Sequence, residues 1–237
     1  MSLVDQLWSI WGQTRSFVYD IAIVYMTSEW YLRVIHKLPM GAKVLDVGIG
    51  TAAALLQHSA LIRNQQLHFL GVDIDAAYIQ RANDLIVSNQ IQQNVEARLQ
   101  SVYDHVGGPY DAIYFSGSFM LMPDPVRALS HVTSQLKPQG ANKCLKIQIC
   151  LLTGIFIYLS LGVVYFTQTF QKERSWLMEN IKPMLVYLTS IDFGKVTYEK
   201  DFRSYIEQAH MTIEFEEVVT EHSDRTVKLF GATVFVK

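Results

Sequence analysis

KVLDVGIGTAAALL, residues 43–56, reads as a buried strand, a glycine turn and the start of a helix. Val44, Leu45 and Val47 make the apolar strand, Gly48-Ile49-Gly50 the turn, and small residues from Thr51 open the helix. A strand that feeds a helix through two glycines lets backbone approach a ligand closely. The free N–H groups of the helix's first turn then line the concavity. Asp46 stands two residues before the first glycine, at the mouth of the turn. A carboxylate there repels pyrophosphate but accepts hydrogen bonds from an ammonium group or from turn amides. The stretch therefore suits a zwitterionic amino-acid tail on a nucleoside better than a dinucleotide.

Downstream, LHFLGVDID is a short apolar run ending in acids, as a buried parallel strand ends at a ligand crevice. Asp73, a little over twenty residues past the glycine turn, stands where a carboxylate takes the hydroxyls of an adenosine ribose. AAYIQRANDLIVSN follows as a helix with Ile79, Ala82 and Ile86 on one face and Arg81 and Asp84 outside. VEARLQSVYD is a weaker strand running into a loop. A turn at Gly107-Gly108-Pro109 precedes a strand from Ala112 to Phe115, whose exit is Ser116-Gly117-Ser118. Behind Asp124 and Pro125 comes a helix with Ala128, Leu129, Val132 and Leu136 inward, stopped by Pro138 and Gly140. This alternation predicts an α/β fold with a doubly wound, mostly parallel sheet. At the carboxyl end, YEKDFRSYIEQAH is a helix, and TIEFEEVV and VKLFGATVFV form a terminal antiparallel hairpin.

Upstream, Trp30, Val34 and Leu38 recur at helical spacing before Pro39, so residues 1–40 read as a helical cap beside a domain over 41–237. Tyr19 and Tyr25 in that cap are candidates for a lid over a substrate pocket. The 237 residues allow one full α/β domain. A formal net charge of -2 gives no electrostatic reason to expect nucleic acid as a partner. Cys144 and Cys150, the two cysteines, share one apolar segment, and no Cys/His pair has metal-ligand spacing. No secretory signal is evident, and the expected compartment is the cytoplasm.

Taken together, these motifs resemble class I S-adenosylmethionine-dependent methyltransferases, in particular the small-molecule group called type 11. Asp46-Val47-Gly48-Ile49-Gly50 is similar to the family's acidic first motif, and Asp73 to its ribose-binding acid. YDAIYFSGSFMLMPDP is similar to its fourth-strand motif, and LKPQG to its Leu-Lys-Pro-x-Gly stop. The resemblance spans roughly residues 40–140 and, more loosely, the last forty. It implies a Rossmann-like seven-stranded sheet, S-adenosylmethionine as cofactor and a small-molecule acceptor. Two departures stand out. Ala52 replaces the family's third glycine, and Ser101, with Asp104 nearby, stands where many relatives carry an acid toward adenine.

The resemblance also implies roles. Asp46, Gly48, Gly50 and Thr51 hold the methionyl tail and Asp73 holds the ribose. Ile74 and Val102 sandwich the adenine with Ser101 beside it, while Ser116 and Met120 border the methyl and its acceptor. No histidine is singled out as a general base. Gly48-x-Gly50-x-x-Ala53 also fits the dinucleotide fingerprint of an NAD-dependent oxidoreductase. Asp46, the helices ahead of the first strand and the closing hairpin favour the methyltransferase. A third reading is a methyltransferase-like fold that binds ligand without turnover.

One segment departs from the pattern. No charged residue lies between Lys146 and Lys172, and residues 147–166 are almost wholly apolar. Its Leu, Ile, Phe and Val residues are together worth roughly -5 kcal/mol for membrane insertion. The sheet competes for the same residues, because Val163 to Thr169 is the best available fifth strand. Keeping it in the sheet buries several side chains at about 1.5–3 kcal/mol each. The apolar remainder then falls short of the roughly 17 residues that span a bilayer. Residues 141–162 thus read as an insert, either a translated intervening sequence or a membrane-surface anchor through 147–166.

Overall fold

The computed structural model describes residues 24–137, 162–172 and 196–234. Tyr19, most of the 1–40 cap, the insert up to residue 161, both cysteines, and Pro138 and Gly140 lie outside them. Seven strands form one sheet in the order β3-β2-β1-β4-β5-β7-β6. They are β1 (Lys43–Val47), β2 (His68–Asp73), β3 (Val95–Leu99), β4 (Ala112–Ser116), β5 (Val163–Gln171), β6 (Met211–Glu221) and β7 (Arg225–Val234). β1 to β5 pair in parallel, and β7 runs antiparallel between β5 and β6. That hairpin separates this sheet from the dinucleotide-binding order, which continues with a sixth parallel strand.

Helices cover both faces. On one lie α1 (24–35), α2 (Ala53–Leu56), α3 (Ser59–Asn64) and α4 (Ala76–Ser88), and on the other α5 (Pro125–Thr133) and α6 (Glu199–Gln208). The stripe read from sequence on α4, Ile79, Ala82 and Ile86, is its buried face. Tyr31, Val34 and Ile35 of α1 pack into the same core. On the opposite face the rings of Phe115, Phe119, Phe166, Phe170, Phe202 and Phe230 meet at 4.7 to 5.8 Å, which fastens α6 and the hairpin to the parallel strands.

The fifth strand begins at Val163, as expected, and is buried on both faces between β4 and β7. Val163 to Phe166 therefore belong to the sheet interior, which shortens the apolar run proposed as an anchor. Among the described residues, no helix is long and apolar enough to cross a membrane.

Two boundaries are corrected. The first helix opens at Ala53 rather than Thr51, because Ala52 adopts a left-handed conformation (φ 58°) as its N–H closes a turn on Ile49. That conformation costs a non-glycine residue about 1–2 kcal/mol. The buried Ala52 methyl returns about 0.8 kcal/mol. A stiffer unfolded chain than glycine's returns about 0.4–1. The near balance explains why alanine is tolerated there. The helix after Asp124 ends at Thr133, before the prolyl stop, because Leu136 forms a parallel bridge with Tyr110. Tyr110 donates to Gln135 O and accepts from Lys137 N, which draws the chain out of helix.

The outer strand β6 is tied to α1 by Glu217, which pairs with Arg33 and, at 3.1 Å, with Lys37. These groups are about one-third exposed. Glu217→Gln should therefore cost only about 0.5–1 kcal/mol in urea denaturation, shrinking in high salt. A cost unchanged by salt would mean the tie is not ionic.

Candidate functional site

β1 and β4 end side by side, and the turns leaving them interlock. Gly48 takes φ 79° and donates its N–H to Val72 O at 2.8 Å. A Cβ on Gly48 would fall 2.5 Å from the Cβ of Ser118. Ser118 is itself buried and donates its hydroxyl to Val47 O, fastening the β4 exit to the end of β1. Its serine is thus a structural tie. Ser116, the last residue of β4, places its buried hydroxyl beside the Tyr31 and Tyr114 phenols.

The second acidic motif holds the first. Asp73 Oδ2 accepts the Gly50 N–H at 2.9 Å, and Oδ1 accepts the Asp75 N–H at 3.0 Å. Asp75 in turn caps α4 by accepting from Ala77 N and Tyr78 N. The glycine turn, the β2 exit and the start of α4 are therefore one hydrogen-bonded unit, with Thr51 half-buried at its edge.

Asp46 departs from expectation. No turn amide donates to it; the Gly50 N–H goes to Asp73 instead. The alternation of β1 turns Asp46 toward α1, in a row with Gly71 of β2 and Tyr114 of β4. Its side chain is 0 % exposed, Oδ2 accepts the Tyr31 hydroxyl at 2.7 Å, and Oδ1 has no partner. Burial pushes this carboxyl from the ordinary range up to about 7, against the opposing pull of the Tyr31 hydrogen bond and helped by the charge on Asp73. Tyr31 meets the Tyr114 ring edge-on at 5.1 Å, and the Tyr114 hydroxyl pairs with Thr167 Oγ1 at 3.0 Å. Burial raises both phenols above their usual range.

Beyond Asp73, Ile74 is 78 % exposed. Val102 is 5 % exposed and belongs to the core with Tyr110 and Phe115, so its side chain is not free to face a ring. Ser101 begins a turn, its hydroxyl accepting from Tyr103 N and its carbonyl from Asp104 N. Leu99, in register with Asp73 at the end of β3, is exposed at the same sheet edge and was not singled out by the sequence. Met120 sits half-buried in a short 3-10 helix (Phe119–Leu121), against the aromatic core. Tyr25 is 79 % exposed and covers nothing in this conformation.

Tyr31 was also missed. The signal was present: Tyr31, Val34, Ile35 and Leu38 form the buried stripe, and a phenol within it needs a polar partner. Among the described residues, no group of His, Cys, Asp and Glu is placed to hold a metal ion.

Residues 39–150 match the family model described as Methyltransferase domain. Over that stretch the chain is similar to methyltransferase domains, and its seven-stranded sheet has the fold of a SAM-dependent methyltransferase from Aquifex aeolicus. Ribosomal RNA large subunit methyltransferase F of Dechloromonas aromatica (strain RCB) is 32% identical over 113 residues, 44% of this chain and 31% of that protein. The chain thus spans less than a third of that relative. Among solved structures, the domain is similar to the [4+2]-cyclase SpnF, with a TM-score of 0.64 and 14% identity over 89% of this chain and 82% of that one. It is also similar to geranyl diphosphate methyltransferase in complex with SAM, with a TM-score of 0.61 and 11% identity over 88% and 84%. At these identities the likeness to solved structures is one of fold.

Proposed function

We propose that this methyltransferase domain transfers a methyl group from S-adenosylmethionine to a small-molecule acceptor. The observation that carries the reading is the pair of carboxylates around one glycine turn. Asp46 lies buried beneath it with an unpartnered oxygen, and Asp73 grips the Gly50 N–H from the next strand. A buried acceptor left unpaired costs about 1–3 kcal/mol, so a site of this kind is incomplete without a donor. The ammonium of the methionyl tail is such a donor.

In this reading Asp46 and the turn of Gly48, Gly50 and Thr51 hold the tail, and Asp73 takes the ribose hydroxyls. Ile74 covers one side of the adenine, while the Ser101-Val102 turn borders the other. Bound S-adenosylmethionine supplies a methyl group on a sulfonium, a leaving group that needs no further activation. The chain's part is to orient the acceptor in line, for which Ser116 and Met120 at the β4 exit stand nearest, and to exclude water. His58 is engaged with Ser28, and His105 with Gln100 and Tyr110. Neither is assigned as a base; a phenol or hydroxy-acid acceptor would need one. Residues 1–40 serve as the cap and about 141–162 as an insert in an otherwise single domain.

Calorimetry tests the cofactor. The protein should bind S-adenosylhomocysteine, and Asp73→Ala should weaken binding by about 1.5–3 kcal/mol. Tight NADH binding with no response to either sulfur nucleoside would overturn the reading. A second reading, ligand binding without methyl transfer, is favoured by the fold's likeness to a protein named as a cyclase. Labelled cofactor offered with a metabolite extract separates the two, since only the first moves label into the extract. Ribosomal RNA belongs in the same assay because of the relative's name, although a net charge of -2 favours a small acceptor.

A further inference from the structure

We propose that Tyr31 is a positioning residue for the donor site, holding Asp46 through Oδ2 so that its other oxygen is left as a charged acceptor for the cofactor's ammonium. The inference rests on the S-adenosylmethionine reading above. It begins with geometry: the Tyr31 hydroxyl donates to Asp46 Oδ2 at 2.7 Å, while Oδ1, equally buried, has no partner. A carboxylate held by one oxygen cannot rotate freely, so the free oxygen has a fixed place. Tyr31 is fixed in its turn. Ser28, one turn earlier on α1, meets His58 Nε2 at 2.8 Å through its carbonyl and 2.9 Å through its hydroxyl. Trp30 abuts Gly117, where a Cβ would lie 3.4 Å from its ring. Thus α1 is registered against the helical side of the glycine turn and against the β4 exit, with the phenol between them.

Charge supplies the second half of the argument. The titratable groups facing Asp46 are Tyr31 from α1, Tyr114 from β4 and Asp73 from the end of β2. None is a cation. Burial and Asp73 favour the neutral acid, and the Tyr31 hydrogen bond is what favours the anion. An ammonium is attracted by the anion and far less by the acid, so the phenol raises affinity without touching the ligand. A neutral carboxyl cannot do this at any geometry.

The test is S-adenosylhomocysteine calorimetry across pH on the full chain, comparing wild type, Tyr31→Phe and Tyr114→Phe. Tyr114→Phe removes a buried hydroxyl from the same cluster but leaves the Asp46 hydrogen bond intact, so it controls for loss of stability. Tyr31→Phe should bind about tenfold more weakly near pH 6, with the deficit falling below about twofold near pH 8.5, as Asp46 ionises without help. Tyr114→Phe should show a small deficit that does not change with pH. A Tyr31→Phe deficit independent of pH, or affinity equal to or tighter than wild type, would overturn the positioning role while leaving the donor site standing. Failure of wild type itself to bind would instead remove the reading on which it rests.

Discussion

Asp46→Asn should make the ligand-free protein more stable near pH 8 by about 2 kcal/mol while lowering affinity for S-adenosylhomocysteine by about a hundredfold. The two effects share a cause. Folding buries the Asp46 carboxyl completely and moves its pKa up to about 7, so the folded protein holds a proton there that the unfolded chain has lost. Between about pH 4 and pH 7 the unfolded state therefore binds fewer protons, and the protein loses stability as pH rises. Above about pH 7 the penalty is complete, with a ceiling of about 4 kcal/mol. Asparagine avoids the charge and can still accept from Tyr31, but its amide N–H groups need partners, which takes back roughly half of the gain. Urea denaturation should show the advantage near pH 8 and its closure near pH 4. Equal stability at both pH values would mean that Asp46 is not a buried charge. Retained affinity would mean that the ammonium is held elsewhere.

That combination is what the proposed site requires: a ligand ammonium paired with Asp46 would offset the penalty of its buried charge. Asp73 adds no such penalty, since both of its oxygens accept from backbone N–H groups. A ribose bound there as proposed would share or exchange those bonds, so the loss expected for Asp73→Ala, about 1.5–3 kcal/mol, is comparable with the hundredfold expected for Asp46→Asn.

Much of the fold was legible because its signals are periodic. Ile79, Ala82 and Ile86 announced the inner face of α4, and a strand of β-branched and aromatic residues at Val163 was identifiable even at the end of a long apolar run. What periodicity cannot give is the face on which one residue of a doubly buried strand lies. Four of the five residues in β1 are buried, so nothing in KVLDV distinguishes the side that meets α1 from the side that meets α5. The direction of Asp46 became clear only from its register with Gly71 and Tyr114. Likewise, Ser101-Val102 was placed correctly after β3, but whether Val102 or Leu99 stays exposed depends on where the strand ends. The role of Tyr31 depends on a contact fifteen positions along the chain. These are facts of pairing across space, and local sequence holds them only as a requirement for some polar partner.

The interlocking of the β1 and β4 exits predicts that Gly48→Ala will be among the most damaging small changes in the chain. Two costs add. The backbone at Gly48 has φ 79°, which costs an alanine about 1–2 kcal/mol. Its new methyl would lie 2.5 Å from Ser118 Cβ and 3.0 Å from Oγ, and displacing a tied side chain costs about 1–3 kcal/mol more. The expected loss is thus about 2–5 kcal/mol in urea denaturation, with cofactor binding lost alongside because both walls of the site shift. Gly50→Ala provides the internal control. It has φ 58° and nothing within 4 Å of a built Cβ, so it should incur only the backbone cost of about 1–2 kcal/mol. Ser118→Gly, placed in the Gly48→Ala background, removes the obstructing Cβ and should recover part of the difference, appearing as a coupling of about 1 kcal/mol in a double-mutant cycle. If Gly48→Ala is no worse than Gly50→Ala, or if Ser118→Gly adds its own loss with no coupling, the two exits do not interlock as the structure has them.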